Sequence, residues 1–134
     1  LSNNLRPKFG PPKYKDAEAN ANSPYRDWFV FGPQYKGGAR TWWNAQNLPE
    51  LNLENKAVSD HLWGAKDSVV RSYLRDGVDG WRLDVAFDIG FNPLEALTNA
   101  AHAEKPGSLV VGEIRSMSRG RSRIFSVRER AESS

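Results

Sequence analysis

Apolar positions change their spacing four times along this chain. Between 25 and 53 they are aromatic and dense (Tyr25, Trp28, Phe29, Phe31, Tyr35, Trp42, Trp43), interleaved with Gly32, Pro33, Gly37 and Gly38, and follow neither the strand nor the helix period. Aromatic mass on irregular backbone predicts a long functional loop or a small subdomain. From Asn55 a helical stripe takes over, with Val58, Leu62, Ala65, Val69 and Tyr73 recurring at spacings of 3 or 4. It predicts an amphipathic helix over about 56–75, stopped where Gly77 can turn left-handed. Alternation follows: Gly80, Arg82 and Asp84 fall on one face of Val78–Val85, and Trp81, Leu83 and Val85 on the other. Asn92-Pro93-Leu94-Glu95 reads as an Asn cap, Pro at the first helical position and Glu at the third. The helix it opens buries Leu94, Leu97, Ala100 and Ala101 and ends at Pro106-Gly107. Leu109–Ile114 is then a nearly continuous apolar run, as expected of a parallel strand covered on both faces.

Helix, strand, helix, strand in that order predict an α/β fold. Upstream, Pro7, Pro11, Pro12 and Pro24 predict loop over 1–24. Three segments result: a loop-rich excursion over 1–53, an α/β piece over 54–114, and a tail over 115–134. The tail holds six Arg and six Ser without hydrophobic periodicity, and reads as a disordered or aberrant terminus. It also carries the charge: the net +3 of the chain divides into +4 on the tail and −1 on the rest. The body therefore offers no electrostatic footprint for nucleic acid. With no Cys, disulfide and thiolate chemistry are excluded. No run of about 18 apolar residues is present, so no helical membrane span is expected. His61 and His102 lack ligand-spaced partners, so neither a metal nor another cofactor is expected. Leu1-Ser2-Asn3-Asn4-Leu5 has no initiator Met and no signal-peptide pattern, and reads as an internal cut. Nothing in the sequence sets a compartment or an oligomeric state.

The candidate chemistry sits at the two strand ends, where Asp84 and Glu113 stand 29 residues apart, about one strand–helix–strand unit. Retaining cleavage of a glycosidic bond needs two carboxyl groups about 5–5.5 Å apart, and neighbouring strands about 4.8 Å apart supply that spacing. Arg82, on the face of Asp84, is placed to hold a carboxylate ionised, which suits Asp84 as nucleophile. Glu113 leaves an apolar strand, where desolvation favours the protonated form, and suits the proton donor. Trp81, Phe87 and Trp43 are aromatic candidates for sugar contact, since a flat apolar ring matches the C–H face of a pyranose. Acids at strand ends also cap helices or pair with arginines, so the pair alone does not decide for catalysis.

Gly80-Trp81-Arg82-Leu83-Asp84-Val85-Ala86 and Val111-Gly112-Glu113 resemble the fourth- and fifth-strand motifs of the alpha-amylase superfamily of glycoside hydrolases. The wording is most similar to the neopullulanase, cyclomaltodextrinase and maltogenic amylase branch. Tyr25-Arg26-Asp27-Trp28-Phe29 resembles that branch's loop after the third strand, and Leu48-Pro49-Glu50-Leu51-Asn52 its short motif late in domain B. The resemblance implies a partial TIM (β/α)8 barrel, about strands 4 and 5 with flanking helices, preceded by part of an irregular domain B excursion. By the same resemblance Asp84 is the nucleophile, Glu113 the general acid/base and Arg82 the residue that positions the nucleophile. The implied substrates are α-1,4-linked, with α-1,6-linked as a second candidate, glucans of the maltodextrin, starch or cyclodextrin type. The third- and seventh-strand motifs of the family, the latter with its third catalytic carboxylate, are absent, so a fragment is expected that is inactive alone. Calcium accompanies domain B in some members, but no carboxylate cluster here supports it. Ala86-Phe87-Asp88 replaces the Lys-His that many amylases carry after the nucleophile. The competing expectation is a non-catalytic carbohydrate-binding or pseudoenzyme fragment.

Overall fold

The computed structural model describes residues 11–45, 48–115 and 122–126. They divide into two compact units, with the boundary between Val58 and Ser59 rather than at the expected 53/54.

The first unit is irregular, as the aromatic run predicts, but it opens on a helix, α1 (Pro11–Ala19). Loop was expected there because of the prolines. Pro11 and Pro12 instead occupy the first turn, where a backbone N–H has no intrahelical acceptor to lose and the fixed φ suits a helix. Beyond α1, three single 3₁₀ turns and three isolated antiparallel bridges shape the backbone: Phe29 with Leu51, Phe31 with Ala39, and Thr41 with Pro49. Phe29, Ala39 and Leu51 are buried, and Tyr14 packs edge-on to Phe29 with ring centroids 5.1 Å apart. Phe29 therefore anchors a small core, with the half-buried rings of Tyr14 and Phe31 beside it.

The second unit carries the α/β order. One helix was expected over 56–75; the structure has α2 (Lys56–Ser59), which spans the boundary in the chain, then a π-helical turn (Asp60–Gly64), a break, and α3 (Val69–Arg75). Ser68 causes the restart: its hydroxyl oxygen accepts the Arg71 N–H at 3.3 Å, which makes it the N-cap of α3. The break shifts the stripe by one residue, so Val70 and Leu74 are buried while Tyr73 is exposed.

β1 (Gly80–Leu83) is shorter than the alternating run, because Val85 leaves extended geometry. Two helices follow, α4 (Ala86–Ile89) and α5 (Phe91–Glu104). Gly90, at φ 92°, turns the chain between them and is the N-cap of α5, so Asn92 lies inside the helix rather than capping it. Leu97, Thr98 and Ala101 are its buried positions. β2 (Leu109–Arg115) then pairs parallel with β1 in the register Gly80↔Leu109 to Leu83↔Gly112.

Helices α3 and α5 pack against each other and share an ionic tie. Glu104 accepts from Arg71 Nε at 3.0 Å and Arg75 Nη1 at 2.9 Å. Arg75 first and Arg71 second hold its carboxyl below the usual carboxylate range. Trp81 Nε1 donates to the Val70 carbonyl at 3.2 Å, which fastens β1 to α3. Burial of Leu83, Val70, Leu74, Leu97 and Val110 contributes about 1.5–3 kcal/mol each. Coverage of β2 is incomplete among the described residues: Val110 and Gly112 are buried, but Leu109 on the opposite face and Ile114 near the strand end are exposed, contrary to the expectation of two covered faces.

The tail also departs from expectation. Ser122–Ser126 forms β3, antiparallel to β2, with Glu113 opposite Ile124. Pairing satisfies main-chain groups that a bare β2 edge would leave to water, and a strand of mixed polarity suffices for that. The rest of the expected disordered tail, 116–121 and 127–134, lies outside the described residues, as do residues 1–10 with Pro7. No described helix is long and apolar enough to cross a membrane.

Candidate active site

The register that sets Leu83 beside Gly112 places the next residues, Asp84 and Glu113, side by side at the carboxyl ends of parallel strands. Gly80 makes this pairing possible. A Cβ there would run into the Leu109 backbone carbonyl, so β2 approaches at a distance only glycine permits. Arg82 shares the face of Asp84 and reaches both acids: Nη1 lies 3.6 Å from Asp84 Oδ1 and Nη2 lies 3.3 Å from Glu113 Oε2. The structure thus brings the three expected site residues together.

Their environments differ. The Asp84 side chain is 58% exposed and that of Arg82 52%, whereas Glu113 is 13% exposed. The expected electrostatics of Asp84 are reversed. Arg82 was to hold it ionised, yet its carboxyl is pushed above the usual aspartate range. The main cause is a hydrogen bond with Glu113, followed by burial and by the Glu113 charge; Arg82 opposes them. Two carboxylates in hydrogen-bond contact cannot both ionise freely, and one shared proton outweighs a half-exposed guanidinium that also serves the second acid.

Sequence reasoning missed Val85. It was counted as the last strand residue, but it sits at φ 48°, ψ 49°. A β-branched side chain in this left-handed region costs of order 1–3 kcal/mol. Its N–H donates to Glu113 Oε2 at 3.5 Å. A valine after a strand gives no sign of such a turn, so no local signal could have found it.

The three aromatic candidates fare differently. Trp81 is turned to the helix side, edge-on to Tyr73 at 5.7 Å and bonded to the Val70 carbonyl. It packs β1 against α3 and is not presented on the face of Arg82 and Asp84, because alternation sends it the other way. Phe87, on α4, is 81% exposed. Trp43 belongs to the first unit, is 68% exposed, and is held left-handed at φ 51° beside Trp42. In that unit an open cleft of about 410 Å³ is lined by Arg26, Asp27, Phe29, Val30, Phe31 and Asn52. The Arg26 guanidinium covers the Phe31 ring at 3.7 Å, so this ring face is already occupied.

Known proteins agree with the motifs. The chain belongs to the alpha-amylase family: the family described as alpha amylase, catalytic domain, matches residues 12–134. Neopullulanase 2 of Thermoactinomyces vulgaris is 30% identical over 99 residues, covering 69% of this chain and 16% of that protein. The intracellular maltogenic amylase of Bacillus subtilis is 31% identical over 110 residues, covering 77% of this chain and 18% of its own length. Among solved structures, the type III pullulan hydrolase of Thermococcus kodakarensis superposes with a TM-score of 0.69 at 30% identity, covering 87% of this chain and 21% of that one. The cyclic alpha-maltosyl-(1→6)-maltose hydrolase of Arthrobacter globiformis, in complex with maltose, gives 0.72 at 25%, covering 85% and 26%. The chain thus spans less than a fifth of these two curated relatives.

Proposed function

We propose that this chain carries strands 4 and 5 of the (β/α)8 catalytic barrel of a retaining α-glucan hydrolase, together with part of its domain B. The observation that carries the reading is the juxtaposition of Asp84 and Glu113 on adjacent parallel strands, bridged by Arg82. In this mechanism the Asp84 carboxylate attacks the anomeric carbon while Glu113 gives its proton to the departing glycosidic oxygen. Glu113, now ionised, takes a proton from water, and the resulting hydroxide displaces Asp84 from the sugar. Two inversions at one carbon yield net retention.

A hydrogen bond with Glu113 is the main cause that raises Asp84. A sugar seated between the two carboxyls takes the place of that bond. Its loss leaves Arg82 to favour the Asp84 carboxylate, while the less exposed Glu113 takes the proton. Arg82 thereby positions the nucleophile only once sugar is bound. Names of the relatives point to substrates of the maltodextrin, pullulan and cyclodextrin kinds.

Hydrolysis of maltodextrin and of cyclodextrin by the intact protein, compared with its Asp84→Asn variant, tests the reading. Loss of about a thousandfold or more in kcat/KM is expected. Equal rates in the two proteins would overturn it and favour a carbohydrate-binding role.

A further inference from the structure

We propose that Val85 is a positioning residue for the general acid/base through its main-chain N–H, which points at the carboxylate of Glu113 from the peptide that follows Asp84. The inference rests on the hydrolase reading above and extends it to a residue whose side chain has no part in the chemistry. Three observations meet here. Val85 is the β-branched one of the three described non-glycine residues with positive φ, so its conformation is the hardest of the three to hold. It follows Asp84 directly, and its carbonyl accepts the Asp88 N–H at 3.0 Å, so that only Asp84 and Val85 separate the end of β1 from α4. Its N–H reaches Glu113 Oε2 at 3.5 Å, the oxygen that Arg82 Nη2 approaches at 3.3 Å.

An extended residue at this position would carry β1 past Glu113. The left-handed turn instead ends the strand and leads into α4, leaving the Val85 N–H and the Arg82 guanidinium to address one oxygen of a half-buried acid. Contact at 3.5 Å is long, as is common where a catalytic hydrogen bond tightens only on the reacting complex. A donor aimed at a carboxylate favours its ionised form. Ionised Glu113 is the species that must draw a proton from water in the second half of the reaction, so the donor serves that half. The charged groups shown to reach Glu113 are Arg82 and Asp84, both on the β1 side.

The test removes the N–H and keeps the side chain. Replacing Val85 in the intact protein by its α-hydroxy analogue converts the amide to an ester and keeps the isopropyl group, while Val85→Gly keeps the N–H and tolerates the left-handed turn. The alkaline limb of kcat/KM, set by Glu113, is expected to rise by about half to one pH unit in the ester protein, and to stay in place in Val85→Gly. An ester protein with an unmoved limb would overturn the proposal. Asp84→Asn, run alongside, separates the two readings: activity equal to wild type would strike the hydrolase reading itself. Carbon-13 carboxyl titration of Glu113, assigned with Glu113→Gln, reads the same shift without turnover, so an inactive protein still decides whether the N–H acts on Glu113.

Discussion

A single shared proton organises the residue scale. Asp84 titrates high because Glu113 hydrogen-bonds to it, so Glu113→Gln, which removes the competing charge and offers an amide N–H, is expected to bring the Asp84 midpoint down. Carbon-13 carboxyl titration measures this, and an unchanged midpoint would show that burial dominates. The sign for stability follows from linkage. Folding raises the Asp84 midpoint, so its contribution is fully present below the unfolded aspartate midpoint and is lost as pH rises through the folded one. Glu104 runs the other way: held low by Arg75 and Arg71, it contributes above the ordinary glutamate midpoint and ceases to as pH falls through its lowered one. Asp84, Glu113 and Arg82 were legible in sequence because strand alternation and the register of one parallel pair fix where they meet. The direction of the Asp84 shift was not, because contact between two carboxyls depends on side-chain torsions that no spacing encodes.

At the scale of elements, Gly80 and Ser68 are the positions where one substitution separates cause from consequence. Gly80→Ala puts a methyl against the Leu109 carbonyl, and backbone cannot rotate out of the way. A loss of about 3 kcal/mol, at the upper end for overpacking, is expected in urea unfolding, together with loss of the Arg82 contact to Glu113 as the strands part. Stability within about 0.5 kcal/mol of wild type would mean that β2 does not approach so closely. Ser68→Ala removes the cap of α3 and is expected to cost about 1 kcal/mol without moving the carboxylate titrations. Both strands and the helix between them could be read from periodicity. The break at Ser68 could not, since a serine inside an apolar stripe is equally compatible with a solvent-facing position. Pro11 and Pro12 misled because proline excludes a helix interior but suits its first turn.

For the whole molecule, the decisive feature is a sheet left incompletely covered among the described residues. Leu83, Val110 and Gly112 are buried toward the helices, while Leu109, at 56%, and Ile114 are exposed. Open apolar sheet positions beside a short edge strand favour association with further chains. The 134-residue chain alone is therefore expected to self-associate as concentration rises, in light scattering, and to bind a hydrophobic dye. A sharp cooperative melt of a strictly monomeric chain would contradict this. An α/β order was legible from four periodic segments, but the antiparallel β3 was not, because Ser122–Ser126 carries neither strand alternation nor a turn signature. The account as a whole stands or falls on Asp84 as nucleophile. Incubating the intact protein with 5-fluoro-α-D-glucosyl fluoride, then digesting it and sequencing the labelled peptide by mass spectrometry, tests that directly. A fluoroglucosyl ester on Asp84 is the predicted result; turnover with the label on a different carboxylate, or with none on the protein, would contradict it.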